Sequence, residues 1–195
     1  MKSPYSFDYR KATQAVNFFA RNDAMRKINK LKLMKLLFLA DRLHLRMYGR
    51  PITNDTYWAM KHGPVPSSSK DIVDMSDFAE ALEKNYASQF FLPEDDEHKI
   101  ASIAETDEDV FSESELGVLH TVQEEFGALN QFQLVDLCHS LPEWSIYRTL
   151  LEEGRSRAEM AFDDLLRPGS DVDSSHLEAS REALQYRRDL ARIPG

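Results

Sequence analysis

The pattern of apolar positions predicts two helices in the first fifty residues. Residues 8–22 place their apolar side chains on one helical face, with Asp8 at the cap position. Residues 28–51 carry a leucine-rich stripe at spacings of three and four, and further apolar residues lie off that stripe. Gly49 and Pro51 form a stop signal for this second helix. We therefore expect the second helix to be central and buried on more than one side.

Short, turn-bounded segments with partial alternation of apolar and polar residues predict a small sheet. In the first of them we expect Gly63 and Pro64 to end the strand, because both residues interrupt sheet pairing. Between the first and second segments, residues 67–86 have the spacing of one amphipathic helix. The segments predicted as strands lie within residues 52–66, 89–93 and 98–105.

Two later helices are marked by reciprocal capping at their starts. Ser112 is followed three residues later by Glu115, and Asn130 is followed at the same spacing by Gln133. In each pair the first side chain can accept from the backbone N–H of the second residue, and the second side chain can accept from the N–H of the first. The helices predicted from these starts cover residues 113–126 and 131–140.

The same patterns suggest how the chain is organised. We expect one domain over residues 1–166, then a polar break and a charged C-terminal helix over residues 167–195. The predicted fold class is α+β and mainly α-helical. It consists of a helical core with a small antiparallel sheet inserted after the second helix.

Composition places the chain among ordinary globular proteins. It has 195 residues, of which 42% are hydrophobic and 29% are charged, which is enough for one core. No apolar run approaches the roughly 20 residues of a membrane span, and the first residues lack the apolar stretch of a signal peptide. The only cysteine, Cys138, cannot form an internal disulfide. We expect a soluble cytoplasmic protein.

The charge is unevenly distributed along the chain. Residues 1–70 contain 14 Lys/Arg and 4 Asp/Glu, whereas residues 71–195 contain 10 and 29. One interpretation is a basic surface for nucleic acid, and the other is that the two segments face each other in the fold. The net charge of −9 favours the second interpretation. Under the first, the phosphate contacts would be Lys27, Lys30, Lys32, Lys35, Arg42 and Arg46.

No catalytic or metal-binding motif emerges from the sequence. The histidines show no recognised ligand spacing, and residues 94–98 lack the ligand pattern of a calcium loop, so a solvated turn is favoured there. Cys138 and His139 are adjacent, and on a helix they would point about 100° apart, which prevents a nucleophile–base pair. We therefore expect a non-enzymatic protein with no metal and no cofactor. His139 and Trp144 are expected to pack together as a structural corner.

Residues 32–66, KLMKLLFLADRLHLRMYGRPITNDTYWAMKHGPVP, resemble the signature of the SocA-like antitoxin family, which carries the Panacea domain. Residues 111–144, FSESELGVLHTVQEEFGALNQFQLVDLCHSLPEW, are similar to the family's two capped helices and its His…Trp ending. The resemblance covers roughly residues 10–150. The residues that match the family motif, with an expected structural role, are Lys35, Leu36, Leu37, Asp41, Gly49, Pro51, Gly63, Pro64, His139 and Trp144.

The resemblance implies an antitoxin of a bacterial or phage toxin–antitoxin system. Such a protein neutralises a cognate protein toxin, encoded by a neighbouring gene, by binding it directly. The resemblance leaves open a second role as a proteolytic adaptor that delivers the toxin to the ClpXP protease, with the C-terminal segment as a movable tether. A third possibility is a DNA-binding autoregulator, for which the sequence contains no recognised reading motif, so nucleic acid is not an expected partner.

A toxin-binding surface requires apolar anchors that remain exposed in the free protein. The predicted sheet provides the main candidates, and the C-terminal helix provides a weaker accessory set. The sheet candidates are Tyr57, Trp58, Met60, Phe90 and Phe91, and the helix candidates are Leu184, Tyr186 and Leu190.

Overall fold

The computed structural model describes residues 5–169 and 172–190. Residues 170–171, which belong to the predicted polar break, and residues 191–195 of the predicted C-terminal segment lie outside the described residues. The helices are α1 (Tyr9–Arg21), α2 (Lys30–Tyr48), α3 (Ser67–Val73), α4 (Ala81–Ala87), α5 (Glu113–Phe126), α6 (Gln131–Ser140), α7 (Pro142–Ser145), α8 (Arg148–Glu152), α9 (Phe162–Leu165) and α10 (Ser174–Leu190). The strands are β1 (Lys27–Asn29), β2 (Tyr57–Met60), β3 (Gly63–Pro66), β4 (Phe91–Pro93), β5 (Lys99–Ser102) and β6 (Arg157–Glu159).

Helix α2 is the centre of the fold, as the sequence predicts. It packs against α1, α5, α6, α10 and β3, and its apolar residues form the middle of the core. The Asn29 side chain caps its start by accepting from the backbone N–H groups of Leu31 and Lys32 at 2.9 and 3.2 Å. Gly49 ends the helix with a left-handed φ of 72°, which a residue with a side chain adopts only with strain. Because neighbours surround α2, most of its polar side chains are buried with it.

The predicted class, α+β and mainly helical, is confirmed, but the strands form two sheets instead of one. Each sheet has three antiparallel strands, in the orders β1-β5-β4 and β3-β2-β6. The sequence did not predict β1, which precedes α2, or β6, which lies near residue 158. Both are three-residue strands, too short to show alternation.

The expectation that Gly63 and Pro64 end a strand is wrong, because they begin β3. Strands β2 and β3 form a hairpin in which Met60 lies opposite Gly63 and Ala59 lies opposite Pro64. Gly63 has a φ of 91°, which suits it to the exit of a tight two-residue turn. Pro64 is tolerated because β3 is an edge strand and needs no further backbone donor.

The segment predicted as one helix over residues 67–86 is divided into α3 and α4. Met75 adopts a φ of 49°, which breaks the helical path between them. The start of α3 is capped from a distance by Asp55, whose carboxylate accepts from the N–H groups of Ser68 and Ser69 at 2.9 and 2.7 Å.

The C-terminal helix α10 packs against α2. Leu184 is buried in this contact, and the Ser180 hydroxyl donates to the carbonyl oxygen of Arg46 at 2.9 Å. A Cβ atom at Gly49 would lie 2.7 Å from the Cβ of Ala183, so the two backbones approach closely at that point. The interpretation of this helix as a movable tether is therefore wrong for the described residues, because α10 contributes to the core.

The basic first third of the chain faces its acidic remainder, which confirms the favoured interpretation of the charge pattern. The ion pairs between the two segments include Lys11–Glu115, Arg21–Glu105, Lys27–Glu94, Lys30–Asp74, Arg42–Glu143 and Arg50–Glu115.

Among the described residues, none of the helices combines the length and apolarity that a membrane span requires.

We expect Leu184→Ala to lower the free energy of unfolding by about 2–5 kcal/mol, because it removes a fully buried side chain from the contact of α10 with α2. Tyr186→Ala on the same helix is the matched control. Tyr186 is 66% exposed, so the change should stay within about 0.5 kcal/mol. Urea denaturation followed by circular dichroism measures both variants. Equal stability of the two variants would contradict the packing of α10 described above.

Candidate functional site

Three of the residues predicted as exposed partner anchors are buried. Tyr57, Phe91 and Leu184 are each at most 2% exposed, so the expectation that they remain available to a partner is wrong. The Tyr57 hydroxyl donates to the Asp41 carboxylate at 2.6 Å, and its ring packs edge-on against Phe38 at 5.3 Å. The sequence pattern misled because Tyr57 on β2 and Phe91 on β4 lie on the buried sides of their strands.

The other predicted anchors do not form one surface. Trp58 and Met60 are half-buried on β2, and the Arg157 guanidinium covers the Trp58 ring at 4.5 Å. Phe90 is half-buried beside the other sheet, so the candidates that were grouped on one predicted sheet belong to two. On α10, Tyr186 and Leu190 are exposed. Whether any of these residues touches a partner remains a prediction.

Several residues of the family motif form a buried polar network around α2. Asp41 is fully buried and accepts from the backbone N–H groups of Ile52 and Thr53 at 2.8 and 2.9 Å, as well as from the hydroxyls of Thr53 and Tyr57. Burial raises the pKa of Asp41 to about 6, and these hydrogen bonds oppose the rise. The carboxylate thereby fixes the turn that follows Pro51 to the side of α2.

A second contact of this network joins α2 to the hairpin. The Lys35 side chain is buried, and its ammonium donates to the carbonyl oxygen of Pro64 at 2.6 Å. A Cβ atom at Gly63 would lie 3.1 Å from the Lys35 Cε, so the hairpin lies directly over the lysine. Burial lowers the pKa of Lys35 to about 8, and it raises the pKa of the neighbouring Cys138 thiol to about 12. The Cys138 thiol is therefore a poor nucleophile at neutral pH.

His139 and Trp144 stack on each other where α6 meets α7. Their ring centroids are 3.8 Å apart with an interplanar angle of 19°, and the indole N–H donates to the carbonyl oxygen of Met60 at 3.3 Å. The Arg148 guanidinium lies over the Trp144 ring at 5.6 Å and donates to the carbonyl oxygen of His139 at 3.1 Å. This corner fastens the α6–α7 junction to the tip of the hairpin.

An open groove runs along the side of α2 that faces α5 and α6. Its volume is 820 Å³, within the range of about 300–1,000 Å³ typical of ligand pockets. The floor contains the buried Arg42, which forms an ion pair with Glu143. The apolar lining residues are Leu39, Leu43, Met47, Val118, Val122, Phe126, Leu137, Leu141 and Pro142.

Gly117 lies in the interior of α5 and lines the groove. A glycine there destabilises a helix by roughly 0.5–1 kcal/mol relative to alanine. No atom lies within 4 Å of the position that its Cβ would occupy, so the fold itself does not require glycine here. A missing side chain at the wall of a groove lets another backbone approach closely.

The phosphate contacts proposed for nucleic acid are all engaged within the protein. The Lys32 ammonium pairs with Asp23 at 2.6 Å, and the Arg46 guanidinium donates to the carbonyl oxygens of Leu165 and Arg167 at 2.8 and 2.7 Å. Lys35, Arg42, Lys27 and Lys30 have the partners given above. Lys32, Lys35, Arg42 and Arg46 are buried, which places them poorly for phosphate contacts, and a role of Lys27 and Lys30 in such contacts stays a prediction.

Other site chemistry is limited in the part of the chain that the structure describes. No three His, Cys, Asp or Glu side chains come together there in a way that could hold a metal ion. The groove has mostly apolar walls, and its buried Arg42 is neutralised by Glu143. Such a site fits an apolar surface of a partner better than a small polar substrate.

The sequence analysis did not identify the groove, although two signals pointed to it. Helix α2 carries apolar residues on more faces than one neighbour would cover, and Leu39 and Leu43 are among those that line the groove. Gly117 is a glycine in the interior of a helix whose start is clearly marked by its capping residues. Neither signal reveals that α5 and α6 stand apart at this point, because that separation depends on tertiary packing.

Comparison with known proteins identifies the family of this chain. The family model described as "Antitoxin SocA-like, Panacea domain" matches residues 33–145, more than half of the chain. The chain therefore belongs to the SocA-like antitoxin family with a Panacea domain. No curated protein and no solved structure matches it. Of the described residues that line the groove, all but Gly169 lie in the matched region.

We expect the stability of the protein to rise as Lys35 loses its proton. Between pH 8 and 10.5 the unfolded state holds this proton more tightly than the folded state, because burial lowers the folded pKa to about 8. The free energy of unfolding should therefore increase with pH across this window, by up to about 3 kcal/mol from this group.

Urea denaturation at a series of pH values tests this expectation. Lys35→Met should lack this component of the rise, whereas Lys30→Met, on the same helix but paired with Asp74 near the surface, should keep it. If both variants show the wild-type pH dependence, the charge of Lys35 is not the cause.

Proposed function

We propose that this protein is a non-enzymatic antitoxin that neutralises a cognate protein toxin by binding it directly. Membership of the SocA-like antitoxin family supports a role in a toxin–antitoxin system. The observation that carries direct binding is the open apolar groove among α2, α5 and α6, which lies almost wholly within the matched region. A concave, mostly apolar groove is a typical setting for a binding site.

The groove is supported by a scaffold that holds its shape. Its floor is α2, which is fixed by the Asp41 and Lys35 contacts, and its far end is fixed by the pair Arg42–Glu143. A binding surface that is already ordered loses little conformational entropy when a partner docks. Direct masking of a toxin therefore needs no rearrangement of the antitoxin.

No specific observation favours the two alternatives. The adaptor hypothesis relied on a movable C-terminal tether, but α10 is packed against α2 through Leu184 and Ser180. The autoregulator hypothesis relied on free basic residues along α2, and those residues are paired or buried. Masking of the toxin in the cytoplasm, without ClpXP and without nucleic acid, is the simplest function consistent with the packed α10 and the engaged basic residues.

Co-expression with the product of the neighbouring gene tests the proposal. Wild-type protein should restore growth to cells that express the toxin, and the two proteins should purify together. Gly117→Trp should abolish both effects, because its side chain would project into the groove from a position whose Cβ has no neighbour within 4 Å. Circular dichroism and a melting curve confirm that this variant is folded.

Gly117→Ala is the matched control. It leaves the groove nearly open and should raise the free energy of unfolding by about 0.5–1 kcal/mol, because alanine favours the helix. Neutralisation should remain. A neighbouring gene product that is harmless, or that stays toxic beside the wild-type protein, would overturn the proposed function. Full neutralisation by folded Gly117→Trp would move the binding surface away from the groove.

A further inference from the structure

The charges at the groove indicate what kind of segment it binds. Glu113 lies at the start of α5 and Glu125 near its end, and both line the groove and are exposed. Neither forms an ion pair with any cation of the described residues. Among the described residues that line the groove, Arg42 is the one cationic group, and it is buried and forms an ion pair with Glu143. The groove therefore has an apolar middle and a negative charge towards each end of α5.

This arrangement disfavours several occupants. A nucleic acid or an anionic membrane surface would be repelled by the two glutamates. A second copy of this chain, with its net charge of −9, would also be repelled. The partner must instead be apolar in the middle and basic at its ends.

The walls of the groove also indicate the secondary structure of the partner. They are mainly side chains of α2, α5 and α6, and no strand contributes to the described lining, so an extended peptide has no edge there to which it could add. A helix docks in such a groove through apolar residues at positions i, i+3 or i+4, and i+7. Glu113 and Glu125 are separated by about 18 Å along the helix axis, which a docked helix spans in about three turns. Gly117 lies between them, where it allows the closest approach of the partner's backbone.

We propose that the groove binds an amphipathic toxin helix of about three turns, with an apolar stripe and Lys or Arg residues at both ends. This inference rests on the proposed function and specifies the toxin segment that the antitoxin covers. The apolar stripe provides burial against Leu43, Val122 and Leu137, and the end charges pair with Glu113 and Glu125. The charges fix the position of the helix along the groove, because shifting it by one turn would leave a basic end without its glutamate.

Two designed peptides serve as probes, measured by fluorescence anisotropy against the full-length protein. Both have the same leucine stripe on an alanine-rich helix of about 15 residues, a length at which such helices become stable in water. One carries lysine pairs at both ends and the other carries glutamate pairs. The wild-type protein should bind the lysine peptide at least about tenfold more tightly than the glutamate peptide, and added salt should reduce this preference.

Charge reversal provides the decisive comparison. The double variant Glu113→Lys and Glu125→Lys should reverse the preference between the peptides. The control, Asp95→Lys with Glu97→Lys, changes the net charge equally on the exposed turn between β4 and β5, away from the groove lining, and should leave the preference unchanged. Gly117→Trp should weaken the binding of both peptides about equally.

Several results would overturn the inference. The first is that the wild-type protein binds neither peptide, and the second is that it binds both equally. An equal effect of the two double variants on the preference would also overturn the inference, because it would indicate attraction by net charge alone. A concentration-dependent dimer in light scattering, lost in Gly117→Trp, would make a second copy the occupant. The same double variants in the co-expression assay separate the two proposals. If wild-type protein neutralises the toxin and Glu113→Lys with Glu125→Lys does so equally well, the proposed function stands and the inference about the helix fails.

Discussion

The burial of charged side chains along α2 is the constraint on which the rest of the structure depends. A charge removed from water without a partner costs several kcal/mol, so each such side chain requires a specific group opposite it. Lys35 requires the Pro64 carbonyl, Asp41 requires the backbone after Pro51, and Arg42 requires Glu143. Three separate segments of the chain are thereby fixed to one helix. Three residues of the family motif, Lys35, Asp41 and Pro64, take part in these contacts.

Such contacts specify an arrangement more than they add to stability. Replacing a buried ion pair with apolar residues is often neutral or stabilising, whereas removing one partner is strongly destabilising. The chain retains the pairs, and each has only one geometry that satisfies it. The hairpin, the turn before β2 and the α6–α7 corner consequently meet α2 in a defined register. The groove inherits its shape from that register, since α2 forms its floor.

Local signals in the sequence predict much of the fold. Capping residues place the starts of α5 and α6 correctly, and the leucine stripe with Gly49 places α2. The errors occur where tertiary contacts override local preference. Strands β1 and β6 exist only because partners pair with them, and α3 is capped by Asp55 from a distant loop.

The candidate site was harder to predict than the fold. Strand residues such as Tyr57 and Phe91 have the composition of partner anchors, but burial depends on which helices cover each sheet, and no short-range pattern encodes that. The charge pattern was more informative. The uneven distribution along the chain predicted that its two segments face each other, and ion pairs between them engage Lys30 and Arg42 of α2.

The separation of Leu43, Leu137 and Gly117 from the paired charges has an evolutionary consequence. These three residues line the groove but take no part in the polar contacts that hold α2 in place. Substitutions there reshape the surface without leaving a buried charge unpaired, so they avoid the most destabilising class of mutation. Under the proposed function, a lineage can therefore change which toxin it recognises by substitutions in the groove, while the residues that determine folding stay the same. Recognition and folding would then depend on largely different residues of the same helices.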